Sequence, residues 1–540
     1  MLLSEIQDNE RWIIGPTGSG KTTLLVNRGQ ELIEQFGADT VITLGKSRCA
    51  TLSLDNPWAQ YRSLYKVCTE VYWEKLGRKP QVQKYFYELW NASFPSWKLS
   101  HPTGSALTVW PAPSKEFLGD VLMKKIEKLR HELTPANEWL PEEKRFFEAY
   151  VEIKEQVDEY NFTDLLEKAL ADIEYLPDPP AYILADDVQE WSPLEFTVLR
   201  KLAVKADLCH LACNPNIAVH YSIYQPMFSA DNINKFKQNI LLLNESFIHS
   251  MSVCHTANTL MSRSRQKLDV ELVSNINIGS TRRLKAGYKE PAMIVDEVEA
   301  CIAACQSIMI LAASSHFLSP IIGELRERGI IFHNPAASKI QAWNPLTQGA
   351  VQAILAFLRP SRIFGIGLGE SWEIEDVYRF ARIFEIEIEH SASSRQRLFD
   401  ILRSRAYPED VLPRLKHVIP IGEEFISAAL NGDLEFVRDR VIAKAQSAID
   451  YLMNIKTRDR FVTLSDNPKV IVGDIQSVKH LYANTVFLTP DLSINQMSDW
   501  LSDGGKRERL LRIFNLGITR ATNNLVICNS NSKYAIDNLL

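Results

Sequence analysis

Few octapeptides dictate their surroundings as tightly as Gly15-Pro16-Thr17-Gly18-Ser19-Gly20-Lys21-Thr22. It satisfies G-x-x-x-x-G-K-[ST] at every fixed position. A short apolar run, Arg11 to Ile14, precedes it and reads as a strand, and TLLVNRGQELIEQF behind it has helical spacing. Glycines in such a loop let backbone N–H groups turn inward around phosphate oxygens, and the N-terminus of the helix that follows adds positive potential. Gly15 to Thr23 are therefore the expected phosphate cradle. Lys21 neutralises the β- and γ-phosphates, and the Thr22 hydroxyl sits on Mg²⁺.

A cradle of this kind needs an acidic ligand at the end of a neighbouring strand. Tyr182-Ile-Leu-Ala-Asp186-Asp187-Val-Gln189-Glu190 supplies one: Asp186 is placed to hold Mg²⁺ through water, and Asp187 to orient an attacking water. The rest of the chain supports an α/β reading. AYILADD, DLCHLACNP, SIMILAA (307–313), IIFHN, VIVGDI (470–475) and TVFLTPD (485–491) read as strands, with helical patterns between them, and RERLLRIFNLGITRAT reads as a helix ending before the strand NLVICN. Two stretches break the alternation. Residues 56–155 hold six of the eleven tryptophans (Trp58, Trp73, Trp90, Trp97, Trp110, Trp139) and read as a mostly helical insertion, with the aromatics assigned to its core. Residues 346–460 are helix-rich and read as a second insertion. The expected organisation is two α/β domains, 1–55 with 156–240 and 241–345 with 461–540, each interrupted by one helical insert.

Composition narrows the class further. A 540-residue chain with 46% hydrophobic and 23% charged residues is globular and long enough for several domains. No apolar run reaches membrane-spanning length, and MLLSEIQDNERW lacks the layout of a secretory leader. Eight scattered cysteines point to a reducing, cytoplasmic compartment rather than a disulfide scaffold. Cys209/Cys213 on a strand and Cys301/Cys305 on a helix lack partner pairs in zinc spacing. A net charge of −6 excludes a globally basic nucleic-acid coat and leaves room for a local basic channel.

Taken in order, these segments resemble the UvrD/Rep group of superfamily 1 DNA helicases. The resemblance covers most of the chain: NFTDLLEKAL and ADDVQEWSPLEFTVLRKLA around the acidic strand, ACNPNIAVHYS after the next, then SIMILAASSHFLSPIIGELRERGIIFHNP with AWNPL, GDIQSVKHLYANTVFLTPDLS, and RIFNLGITRAT with Thr519-Arg520-Ala521 intact. It implies two RecA-like domains (1A and 2A) with helical inserts (1B and 2B), binding ATP and Mg²⁺ and moving along single-stranded or partly duplex DNA, 3′ to 5′. Carried over, Lys21, Thr22 and Asp186 are phosphate and metal ligands, Asp187 stands at the catalytic Glu position, Gln189 senses the γ-phosphate and Arg520 is the arginine finger.

The pattern also departs from the family. Asp187 is one methylene shorter than the usual Glu; Ile217 stands where a Gln is expected and Ile248 where SFIHS should carry a second γ-phosphate Arg. Asp474, Gln476, His480 and Tyr482 replace family Thr, His, Gly and Glu, and Leu44 replaces a stacking Phe. Losing one preorganised charge donor typically costs about 2.7–4 kcal/mol in the barrier. Two readings follow: an ATP-driven DNA translocase or helicase, or a degenerate helicase-like ATP-binding protein that recruits DNA or protein partners without processive unwinding. Candidate DNA contacts are Lys46, Arg48 and Lys479, with Arg263, Arg265, Lys267, Arg282 and Arg283 as further surface cations. Trp343 reads as packing.

Overall fold

Short apolar strands pair in parallel to build two separate six-stranded sheets, as seen in a computed structural model that describes residues 6–45, 61–79, 85–100, 117–176, 178–219, 237–268, 270–335, 433–439, 443–458, 468–502, 504–529, 532 and 534–536. The chain divides into one unit of Met1–Ile278 with Asp499–Asn515 and another of Gly279–Ser498 with Leu516–Leu540. The division falls at Ile278 rather than near residue 240, because the strand Ile240–Leu242 is parallel to the first strand of the chain and holds the following segment with the first sheet.

In the first unit the strands are β1 (Glu10–Ile14), β2 (Val41–Gly45), β3 (Tyr61–Ser63), β4 (Tyr182–Ala185), β5 (Leu208–Cys213) and β6 (Ile240–Leu242), in the spatial order β3-β2-β4-β5-β1-β6. Successive side chains of a strand point to opposite faces. Ile13, Val41, Leu184 and Ala212 accordingly pack with Leu25 and Leu32 of helix α1 (Lys21–Phe36) on one face. Trp12, Ile14, Ile42, Leu44, Ile183 and Leu211 join a larger core on the other. Both faces are covered, as expected of an all-parallel sheet.

The helical insertion begins later than residue 56. Tyr61–Ser63 joins the sheet beside β2, and the helix Leu64–Leu76 puts Leu64, Val67 and Val71 into the first core. A distinct aromatic core then gathers Phe86, Trp90, Leu122, Ile126, Phe146 and Tyr150. Trp90 and Trp139 are buried there, whereas Trp73 is 44% exposed beneath the Lys79 ammonium. Polar ties run from this core to the helix Phe162–Asp172: Arg130 reaches Asp164 at 2.7 Å and Lys154 reaches it at 3.0 Å. That helix starts at a reciprocal cap in which Asn161 and Asp164 each accept the other's backbone N–H at 2.8 Å.

The second unit holds β7 (Thr281–Leu284), β8 (Ile308–Ala312), β9 (Phe332–His333), β10 (Val470–Asp474), β11 (Ala483–Thr489) and β12 (Ala521–Cys528), ordered β7-β12-β11-β8-β10-β9 and all parallel. Every residue of β8 is buried, in keeping with its interior position. The helix Gly505–Ile518 stops two residues short of β12, so Arg520 lies on the turn between them rather than on the expected helix. Most of 346–460, including its expected helical character, and Trp343 lie outside the described residues. Among the described residues no helix is long and apolar enough to cross a membrane.

Candidate functional site

Strand order explains why residues far apart in sequence meet. β1 and β4 flank β5 in parallel, with Ile14 level with Cys213 and Ala185 level with Leu211. Gly15, Asp186 and Asn214, which follow these three strands, therefore share one edge of the sheet. At that edge the Thr22 hydroxyl donates to Asp186 Oδ2 at 2.6 Å, joining the first turn of α1 to the end of β4.

The glycine-rich loop turns through left-handed backbone at Gly18 (φ +77°) and Gly20 (φ +82°), conformations open to glycine. A helix leaves its first N–H groups without intrahelical partners. Gly20 caps α1 without a side-chain acceptor, and the first amides of a helix are where an anion is favoured. Lys21 Nζ donates to the Pro16 carbonyl at 2.6 Å and Ser19 Oγ to the same carbonyl at 2.9 Å. Thr17, Ser19 and Lys21 are buried, and Thr23 is exposed beyond them.

The acidic edge is equally specific. Asp186 is 3% exposed and also accepts the Asp187 N–H at 2.8 Å; burial, and then the Asp187 carboxylate, push its carboxyl up to about 6. Asp187 has φ +50°, uncommon for a residue with a Cβ and found where a local structure enforces it. Its Oδ1 accepts from Gln189 Nε2 at 2.8 Å, and Gln189 Oε1 accepts the Asn214 N–H at 2.9 Å. Gln189 is thus a buried bridge from the second aspartate to the end of β5. Asn214 Nδ2 continues the chain of contacts to Thr17 Oγ1 at 3.3 Å. Trp191 ends this turn, and Ser192 starts the next helix in a capping box with Glu195. The hard oxygen donors of Thr22 and Asp186 suit Mg²⁺, which takes few protein ligands and retains waters.

The structure gathers Lys21, Thr22, Asp186, Asp187 and Gln189 in the first unit. Arg520 belongs to the second, 1% exposed, with Nε donating to Leu516 O at 3.2 Å, Nη1 donating to Lys479 O, and its guanidinium 4.6 Å from the Tyr482 ring centroid. Lys479 meets Arg520 through its carbonyl. Lys46 and Arg48 lie outside the described residues. Leu44 is fully buried in β2 and cannot stack on a base. Arg265 and Lys267 are exposed, while Arg282 is paired with Glu297 at 2.5 Å.

One residue had no counterpart in the sequence reading. Phe247 is 65% exposed, and its ring lies 3.7 Å from where a Cβ on Gly20 would be. The segment carrying it runs along the loop, with Leu243 N donating to Ile14 O at 2.8 Å and Phe247 N to Gly18 O at 3.0 Å. An aromatic in SFIHS was visible, but its neighbour lies more than two hundred residues upstream and only the pairing of β6 with β1 reveals it. A scan against models of known protein families finds none that matches the chain, and a search of curated proteins finds no match.

Proposed function

We propose that this protein is an ATP-dependent, single-stranded DNA translocase of the UvrD/Rep helicase type, with the nucleotide held at the loop Gly15–Thr23. The observation that carries the reading is the 2.6 Å contact of Thr22 with Asp186, two residues 164 positions apart that a phosphate loop and its acidic partner strand must bring together. The finer architecture, two RecA-like domains with helical inserts, is part of the same proposal and draws support from the two parallel sheets. The free cysteines Cys68, Cys209, Cys213, Cys254, Cys301, Cys305 and Cys528 are in keeping with a cytoplasmic setting.

In this reading the triphosphate lies against the uncapped amides of α1, and the Lys21 ammonium leaves the Pro16 carbonyl for the β- and γ-phosphates. Mg²⁺ held by Thr22 and Asp186 neutralises phosphate charge when bound. Asp187 orients the attacking water, and Gln189, bonded to it, registers whether the γ-phosphate is present. Arg520 supplies a guanidinium to the transferring phosphoryl group, a contribution of roughly 10³–10⁵ in rate where it has been measured. Phe247 offers its exposed face to the base.

The test is phosphate release from ATP with and without single-stranded DNA, beside the Lys21→Ala variant. The expected result is DNA-stimulated turnover that the substitution abolishes; equal turnover in the variant refutes the site. The second reading, an ATP-binding protein without a motor cycle, is favoured by Ile248, whose Cγ1 lies 2.5 Å from where a Gly18 Cβ would be, so an aliphatic group occupies the place of a second phosphate cation. That reading predicts nucleotide binding with no response of turnover to DNA.

A further inference from the structure

Ser246 and His249 take no part in the chemistry proposed above, yet both are buried beside the phosphate loop, at 2% and 0% exposure. A Cβ placed on Gly18 would lie 2.8 Å from Ser246 Oγ and 2.9 Å from His249 Cε1. Gly18 is therefore pressed directly against the pair.

Their hydrogen bonds fix each other. Ser246 Oγ accepts the backbone N–H of Ile248 at 3.3 Å and of His249 at 3.2 Å, and lies 2.7 Å from His249 Nδ1. A serine hydroxyl has two lone pairs and one hydrogen. With both lone pairs engaged, the hydrogen goes to Nδ1, which sets the imidazole as the Nε2–H tautomer. The turn so closed is anchored from behind: Ser246 N donates to Val273 O at 2.8 Å, and Ser274 Oγ donates to His249 O at 2.5 Å. From this turn the Phe247 N–H reaches the Gly18 carbonyl at 3.0 Å. One small hydrogen-bonded unit thus holds both the Gly18 peptide, which shapes the cradle, and the Phe247 ring, which overlooks Gly20.

We propose that Ser246 and His249 are positioning residues, a brace that sets the Gly18 peptide and the Phe247 ring for the nucleotide; the inference rests on the nucleotide reading of the loop. Neither side chain touches phosphate in this scheme. Removing the brace loosens binding without removing a chemical group, so the loss falls on nucleotide affinity and KM rather than on kcat.

The experiment compares His249→Ala, Ser246→Ala, the double variant and His249→Asn in the full chain. Affinity for a fluorescent ATP analogue is measured beside hydrogen exchange, followed by mass spectrometry, of the peptide spanning Phe247. Each alanine variant is expected to weaken binding about tenfold, the order set by one buried hydrogen bond. The double variant should lose no more than either single one, as coupled neighbours do. His249→Asn, whose amide can accept from Ser246, should restore affinity to within about threefold. Exchange at Phe247 should quicken in the alanine variants and recover in the asparagine one. Wild-type affinity in His249→Ala, or independent losses that add, overturns the brace while leaving the nucleotide site intact. A wild-type protein that binds no nucleotide overturns the site itself and the brace with it. Exchange at Phe247 that is the same in all variants overturns the brace whether or not nucleotide binds.

Discussion

Glu10 and Arg200 are each 1% exposed and lie on different elements, with Arg200 Nε 2.7 Å from Glu10 Oε1 and Nη2 3.1 Å from Oε2. Glu10 Oε2 also accepts the Trp12 indole N–H at 2.9 Å. A buried pair of this kind adds little net stability over a hydrophobic replacement, because two charges have been taken out of water. Removing one partner is another matter, since the remaining charge stays buried. Arg200→Met is therefore expected to destabilise the first unit by about 3–5 kcal/mol. Combining it with Glu10→Gln should cost less than the sum of the two single changes, a comparison read from urea unfolding followed by Trp fluorescence. A sum equal to the separate effects would show that the pair is not coupled. The contrast with Asp186 is instructive. That carboxyl is also buried, and burial and then the Asp187 carboxylate raise it to about 6 against the opposing effects of Thr22, the Asp187 amide and Lys21. A buried carboxyl raised in this way is a candidate functional group.

At the scale of elements, β5 carries an uncompensated histidine. Among the described residues His210 has no partner for Nε2, and burial, then Arg28 and Arg11, lower it from 6.5 to about 4. The folded chain thus holds the neutral imidazole where the unfolded chain takes up a proton. Its stabilising effect is complete above about pH 6.5 and is lost as the pH falls toward about 4, for a total of roughly 3 kcal/mol. His210→Leu should flatten that part of the stability–pH curve of the first unit; an unchanged slope would assign the acid sensitivity elsewhere. Much of this element level was readable in the sequence. The glycine-rich loop is a fixed-position motif, and β4, β5, β8, β10 and β11 are short apolar runs bounded by turns, signals that need no tertiary context. β7 was not readable, because Thr281–Leu284 carries Arg282 and Arg283 exposed at a sheet edge and only its pairing with β12 makes it a strand. β3 is three residues long and adjoins an aromatic-rich stretch whose helices dominate the pattern. The glycine-rich loop and the acidic strand were each legible as motifs, whereas the contacts of Ser246 and His249 with Gly18 depend on a register between β1 and β6 that no spacing encodes.

For the molecule as a whole, the proposed motor asks a residue of the second unit to act on a nucleotide held by the first. Arg520 has a structural role within its own unit whatever else it does, since its guanidinium closes the turn from Leu516 to Lys479 and lies over Tyr482. Substitution to alanine would mix the two roles, because it leaves carbonyls without donors in a buried place. Arg520→Lys keeps a charge and the aliphatic stem while losing the planar fork that meets several acceptors at once. If the guanidinium acts on the transferring phosphoryl group, kcat in the lysine variant should fall at least about a hundredfold. The affinity for ATP, which the proposal assigns to the first unit, should stay within about threefold of wild type. A role confined to packing predicts the reverse order of effects: the second unit melts at a lower temperature, and turnover measured below that transition is unchanged. Measuring kcat, nucleotide affinity and thermal unfolding on the same preparation separates these outcomes, and a retained kcat with a lowered transition removes Arg520 from the proposed chemistry without bearing on the proposal that the glycine-rich loop and its acidic strand hold the nucleotide.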